Sequence, residues 1–348
     1  FQSEFAPAPV VPEPPDPLCQ WLDETVEKTP KPSEWKADEV LEFSKHILGD
    51  WSMKKRLVVR QCYTQMRVQI MNWLNDKFKL ETLIGMFVIT GTPGIGKSVF
   101  LAYMVAFLVE KGYGIVIQIG QKFWSRQSGS GKTVSHGKTE PKLLEDAKAV
   151  LLADPLGGED TKVEHRRAGC TIVFTSLRES CYKVSYKQQE VHSQKGYMPV
   201  WSKEELVKHR SVLFSENSEA AEEAHACLGG SVRWLAKLLS NSGGTTDLAS
   251  KAEELIRTYM EHLNTFDQLY DLLMYTPIDN MEGKGRQNAM SYLLQIHTEW
   301  PFQKPVQKFI SSEVAEKVLR EKLSVKTKQE QEQFLTKFLR TKPLGTLV

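Results

Sequence analysis

Residues 91–98 read GTPGIGKS. The spacing G-x-x-x-x-G-K-[ST], placed between a buried strand and a helix, lets backbone N–H groups cradle phosphate oxygens while the helix N-terminus adds a favourable dipole. Both flanks fit. Upstream, IGMFVIT is a short apolar run with β-branched residues, as a buried strand requires. Downstream, SVFLAYMVAFLVEKG places Phe100, Leu101, Met104, Val105, Leu108 and Val109 at helical spacing and stops at Gly112. Gly91, Thr92, Pro93, Gly94, Ile95, Gly96, Lys97, Ser98 and Val99 are therefore the expected nucleotide contacts.

A second Gly-Lys-Thr lies in SRQSGSGKTVSHGKT. Arg126 stands where the first glycine is needed, and no buried strand precedes it. This stretch reads as an exposed loop. The sequence holds one nucleotide site.

Composition bounds the rest. The chain has 348 residues, room for one large or two modest domains, and a formal net charge of +2, so no global charge argues for nucleic acid or membrane. The five cysteines (Cys19, Cys62, Cys170, Cys181, Cys227) lack C-x-x-C spacing, which fits free thiols in a reducing compartment. The eight histidines lack metal-ligand spacing, and no apolar run reaches the length of a membrane span. Phe1-Gln2-Ser3 reads as the remnant of a cleavable tag, and residues 6–17, APAPVVPEPPDP, as an extended linker.

Along the chain, WKADEVLEFSKHIL reads as an amphipathic helix, RLVVRQCY as a strand or extended arm, and TQMRVQIMNWLNDKF as a helix burying Met66, Ile70 and Trp73. Further strands are expected at 114–120, 148–155 and 169–176. Strands alternating with helices and apolar on both faces indicate a parallel sheet covered on both sides. From residue 202 the pattern turns helical, through SKEELVKHR, SEAAEEAHACL, VRWLAKLLS and DLASKAEELIRTYMEHL. A last helix, SSEVAEKVLREKL, would be capped by Ser311 or Ser312.

Hydrolysis needs a metal and an activated water besides the loop. Lys97 should reach the β- and γ-phosphates, and Ser98 should ligate Mg²⁺. Asp154, ending the apolar run AVLLA, is the candidate second metal ligand, against the reading of a plain strand-end turn before Pro155. A water-orienting Glu often follows such an Asp; here the next acids are Glu159 and Asp160. Thr175, with Ser176 and Arg178 beside it, is placed to meet the γ-phosphate or to cap its strand. Arg233, on a helix after two glycines, is a candidate lid arginine or an ordinary surface residue.

GTPGIGKSVFLAY, TIVFTSLRESCYK, MPVWSKEEL and LGGSVRWLAKLL, in this order and with RLVVRQCY ahead of them, resemble the P-loop ATPase module of oomycete and fungal Crinkler effectors and trypanosome retrotransposon hot spot (RHS) proteins. The resemblance runs from about residue 55 to 240. It implies ATP and Mg²⁺ as cofactors, Lys97, Ser98 and Asp154 as the loop and metal residues, Arg233 as the lid arginine, and Arg60 and Tyr63 beside the nucleotide. It also implies secretion, virulence and action in the host nucleus, with a nuclease-like domain after residue 348.

The expected fold is α/β, a P-loop NTPase with a parallel sheet flanked by helices, a helical lid and a small α-rich C-terminal segment. Its divisions are 1–35, scar and linker; 36–215, core; 216–275, lid; and 276–348, C-terminal segment. The expected function is binding and slow hydrolysis of ATP in an effector acting on nuclear DNA. A nucleotide-dependent interaction switch without turnover is the alternative. Residues 301–348 carry ten Lys/Arg against five Glu, an excess that suits double-stranded DNA or a solvated helical face. Host or nuclear protein partners follow from the resemblance, no membrane contact is expected, and oligomerisation is left open.

Overall fold

A computed structural model describes residues 16–27, 31–50, 52–79, 85–129, 131–155, 163, 169–176, 182, 186, 192–214, 218–240, 247–261, 293–309, 320–321, 324 and 327–341. Its centre is a seven-stranded sheet. In chain order the elements leading into it are α1 (Pro17–Glu27), β1 (Val40–Glu42), β2 (Arg56–Val58) and α2 (Gln61–Lys79). The sheet is formed by β3 (Gly85–Thr90), β4 (Ile115–Ile119), β5 (Lys122–Arg126), β6 (Val134–Gly137), β7 (Val150–Asp154), β8 (Cys170–Phe174) and β9 (Gln194–Tyr197). The strand order is β6-β5-β4-β7-β8-β3-β9. The pairs β4–β7, β7–β8, β8–β3 and β3–β9 are parallel, and β5 and β6 add an antiparallel edge.

Helix α3 (Lys97–Glu110) follows β3 and lies against one sheet face with α1 and α2 around it. It is buried without a break from Phe100 to Leu108, because it is covered by the sheet on one side and by helices on the other. The three central strands GMFVIT, VLLAD and CTIVF are buried at every position, which is why they read as continuous apolar runs rather than alternating ones. The opposite face is packed by Met86, Val88, Ala153, Val173 and Tyr182, and by Val116, Phe123 and Leu151.

Four helices follow, α4 (Lys203–Leu213), α5 (Ala221–Leu228), α6 (Val232–Ser240) and α7 (Leu248–Met260), and they pack on one another. Ser202 and Glu205 close a capping box that starts α4. A hairpin, β10 (Leu294–His297) with β11 (Val306–Phe309), and α8 (Lys328–Thr341) complete the described chain. Among the described residues, no helix is long and apolar enough to cross a membrane.

Two expectations are corrected. Residues 17–27 lie within the stretch read as scar and linker, yet they form α1 and bury Leu18, Trp21 and Leu22 in the core. WKADEVLEFSKHIL is not a helix. Leu41 and Phe43 alternate inward, β1 pairs antiparallel with β2, and Leu48 and Gly49 take φ of 55° and 68°, which a helix does not allow. A side chain at Gly49 would meet the backbone of Leu18 at 2.4 Å. The C-terminal segment, read as mixed and α-rich, contains the β10–β11 hairpin and α8 among its described residues. Ser311, Ser312, Glu159, Asp160, Arg178 and Cys181 lie outside the described residues.

Candidate functional site

The loop 91–96 joins β3 to α3, so the motif sits between strand and helix as its chemistry requires. Gly94 and Gly96 take φ of 77° and 102°, in the left-handed region that favours glycine. Each also lies against a neighbour: a Cβ at Gly94 would meet Arg233 Cβ at 2.5 Å, and one at Gly96 would meet Tyr63 Oη at 2.6 Å. The loop carbonyls are tied back to the body. Ser231 Oγ donates to Pro93 O (2.8 Å), Arg233 N to Gly94 O (3.3 Å), Trp201 Nε1 to Ile95 O (3.0 Å) and Tyr63 Oη to Gly96 O (2.9 Å). A planar trans peptide points its N–H opposite to its C=O, so these bonds turn the N–H groups of Gly94, Ile95, Gly96 and Lys97 the other way.

Lys97 is buried, and its ammonium donates to Gly91 O (3.0 Å) and Thr92 O (2.8 Å) of its own loop. Burial brings its pKa down to about 7; Asp154 works against that shift and Arg233 adds to it. Ser98 Oγ donates to Asp154 Oδ2 at 2.5 Å, although Asp154 ends β7 and β8 intervenes between β7 and β3. A hydroxyl and a carboxylate oxygen side by side are the hard donors Mg²⁺ takes when phosphate and water complete its shell. The residues present therefore fit that ion.

These groups line a cleft of about 670 Å³, a volume typical of small-molecule sites. Thr175 and Ser176 at the end of β8, Val99, Tyr63 and Arg233 share its wall. Among the described lining residues, Asp154 is the one carboxylate, against the cations Lys54, Arg56, Lys97 and Arg233. That balance suits a polyanion. The lining also includes the apolar residues Ile47, Met53, Val58, Val212, Leu213 and Ala236, with Ser52, Lys54 and Arg56 among them. Tyr63 stacks on Phe100 with ring centroids 4.9 Å apart, and burial raises its phenol pKa.

Arg60 adjoins the loop but is not among the described residues lining the cleft. It is fully buried beneath the loop, and its guanidinium donates to Glu205 Oε1 (3.3 Å) and Oε2 (2.9 Å), Pro199 O (3.0 Å), Val200 O (2.9 Å) and Ile95 O (3.5 Å). It also lies 4.4 Å from the Trp201 ring centroid. Burial opposes its charge, and the nearby Cys62 and Glu205 more than offset that, so its pKa is raised. The motif MPVW-x-x-E-E-L thereby acquires a physical meaning. Trp201 and Glu205 hold the arm residue Arg60 against the loop.

Residues the sequence did not single out include Lys54, which lines the cleft and donates to Val212 O (3.0 Å) and Leu213 O (2.8 Å). Trp201 and Ser231 also bond the loop, and Gln295 bonds the turn between α5 and α6. Trp201 and Ser231 lie inside quoted motifs; for Gln295 the sequence holds no local signal.

No family model matches the chain. Crinkler effector protein 15 of Phytophthora infestans is 23% identical over 222 residues, 62% of this chain and 33% of that protein. The chain thus spans about a third of the length of the curated relative it matches. Among solved structures, the Thermotoga maritima RuvB Holliday junction branch migration motor is similar at 14% identity, with 73% of this chain and 93% of that chain covered and a TM-score of 0.35. The Aeropyrum pernix ORC2 protein, in ADPNP–ADP complexes, is similar at 13% identity over 74% of this chain and 93% of that chain, with a TM-score of 0.28. None of these likenesses by itself assigns a function.

Proposed function

We propose that the chain binds a magnesium nucleoside triphosphate, ATP in the first instance, on loop 91–98 and hydrolyses it slowly. The observation that carries this reading is the Ser98–Asp154 bond beside the buried Lys97, at the N-terminus of α3. In the proposed complex Lys97 turns from its two loop carbonyls to the β- and γ-phosphates, and phosphate charge restores its full protonation. Mg²⁺, when bound by Ser98 and Asp154, supplies charge neutralisation for phosphoryl transfer. Thr175 orients the γ-phosphate or the attacking water, and Arg233 stabilises the charge on the transferring group. The base lies against apolar lining residues, Met53 and Leu213 among them.

The biological setting belongs to the same proposal. The partial likeness to a Crinkler effector supports an effector role; secretion, virulence and action in the host nucleus, on double-stranded DNA or a nuclear partner, are proposed with it from the sequence resemblance alone. A switch that holds nucleotide without turnover is the second reading. Pro155, where a water-orienting Glu is common, and the single carboxylate among the described lining residues favour it.

Phosphate release from Mg-ATP by wild type, Lys97→Ala and Asp154→Ala, with and without double-stranded DNA, separates the two. Turnover abolished in both variants supports the ATPase, and stimulation by DNA supports the nuclear role. Nucleotide binding without turnover supports the switch. Turnover unchanged in Lys97→Ala contradicts the site.

A further inference from the structure

The hairpin β10–β11 is remote in sequence from the phosphate loop, yet it is bonded to both the loop and the entry to the lid. Ile296 N donates to Thr92 Oγ1 (2.8 Å), inside the loop. The neighbouring Gln295 is 1% exposed and uses both ends of its amide on the turn between α5 and α6. Its Oε1 accepts from Gly230 N (3.1 Å) and its Nε2 donates to Leu228 O (2.8 Å). Val200 N adds a bond to Ile296 O at 3.4 Å.

The turn is shaped around this side chain. Gly229 ends α5 with φ of 64°, and a Cβ there would meet Gln295 Oε1 at 2.3 Å. A Cβ on Gly230 would meet Trp201 O at 2.1 Å. The next residues then reach the loop, Ser231 Oγ at Pro93 O and Arg233 N at Gly94 O. The turn conformation therefore decides where Arg233 stands in the cleft. A buried amide satisfied at both ends is costly to replace by a group that leaves Gly230 N and Leu228 O unpaired, so Gln295 fixes the turn together with the backbone bonds Trp201 N to Gly230 O (3.0 Å) and Gly229 N to His225 O (2.7 Å).

We propose that Gln295 is a positioning residue for the nucleotide site. It fixes the Gly229–Gly230 turn so that Ser231 and, on α6, Arg233 meet the phosphate loop, and the hairpin is thereby a structural part of that site. This rests on the nucleotide reading above. It also makes lid placement depend on the C-terminal hairpin, which shares the Gln295–Ile296 pair between turn and loop.

The test is Mg-ATP affinity, by calorimetry, in wild type, Gln295→Met, Arg233→Ala and the double variant, with Lys97→Ala as control. Met keeps the length of the side chain and removes both polar ends. Gln295→Met is expected to weaken ATP binding about tenfold, and to add nothing further in the Arg233→Ala background. A purely structural role would instead give losses that add. If Gln295→Met does not fold, Gln295→Glu keeps size and shape and sets a carboxyl oxygen against Leu228 O; the same loss and the same non-additivity are expected. Wild-type affinity in the folded Gln295 variant, or full additivity with Arg233→Ala, would overturn the proposal. Lack of binding by wild type, or unchanged binding by Lys97→Ala, would overturn the nucleotide reading itself, a result distinguishable from the first.

Discussion

Replacing Arg60 by Met tests the support beneath the loop. The guanidinium is fully buried and serves five acceptor atoms, two on Glu205 and the carbonyls of Ile95, Pro199 and Val200. Breaking a buried ion pair by removing one partner costs about 3–5 kcal/mol, because the other charge and its acceptors lose their compensation. The Glu205 side chain is 23% exposed and regains some water, which places the expected loss near the lower end, about 3 kcal/mol. Adding Glu205→Gln removes the stranded charge while the amide oxygen still accepts from Ser202 N in the cap of α4, so the double variant should recover about 1 kcal/mol. Urea unfolding followed by tryptophan fluorescence gives both numbers, with the slope checked for constancy. A loss below about 1 kcal/mol, the value of an exposed pair, would refute the view of Arg60 as an internal brace.

Further outcomes are expected. Gly94→Ala sets a Cβ 2.5 Å from Arg233 Cβ at a φ of 77°, so loop and α6 must separate; Mg-ATP affinity should fall about tenfold or more, read by calorimetry. His225 and His297 both have pKa values lowered first by burial. The unfolded chain then takes up protons before the folded one, so stability should fall as pH drops through the ordinary histidine range and level off below the folded pKa. His225→Gln should flatten that profile in urea unfolding, and an unchanged profile would count against it. Cys62 is buried with a pKa raised to about 11, so iodoacetamide at neutral pH should leave it unmodified in the native protein and label it after unfolding.

What the sequence made legible was local. The unit β3–loop–α3 announces itself because motif, strand and helix are contiguous, and the amphipathic period of Val232–Ser240 marks α6 in the same way. Asp154 was legible as the polar end of an apolar strand, and its bond to Ser98 spans 56 residues of chain. Long-range partnerships leave no such mark. Arg60 looks like a base contact when read beside Tyr63, and only the approach of Glu205 and Trp201 turns it inward. Gln295 has no distinguishing neighbours in the sequence, and its role depends on a glycine turn 65 residues away. The sequence 35–48 misled because its apolar spacing fits a helix as well as an edge strand, and the pairing of Leu41 with Leu57 decides between them.

The most direct measurement of the central claim is calorimetric titration of Mg-ATP into wild type and into Lys97→Ala. Saturable binding by wild type that needs Mg²⁺ and weakens at least a hundredfold in Lys97→Ala is the predicted result. Equal affinity in the two proteins would contradict a nucleotide site built on Lys97, Ser98 and Asp154.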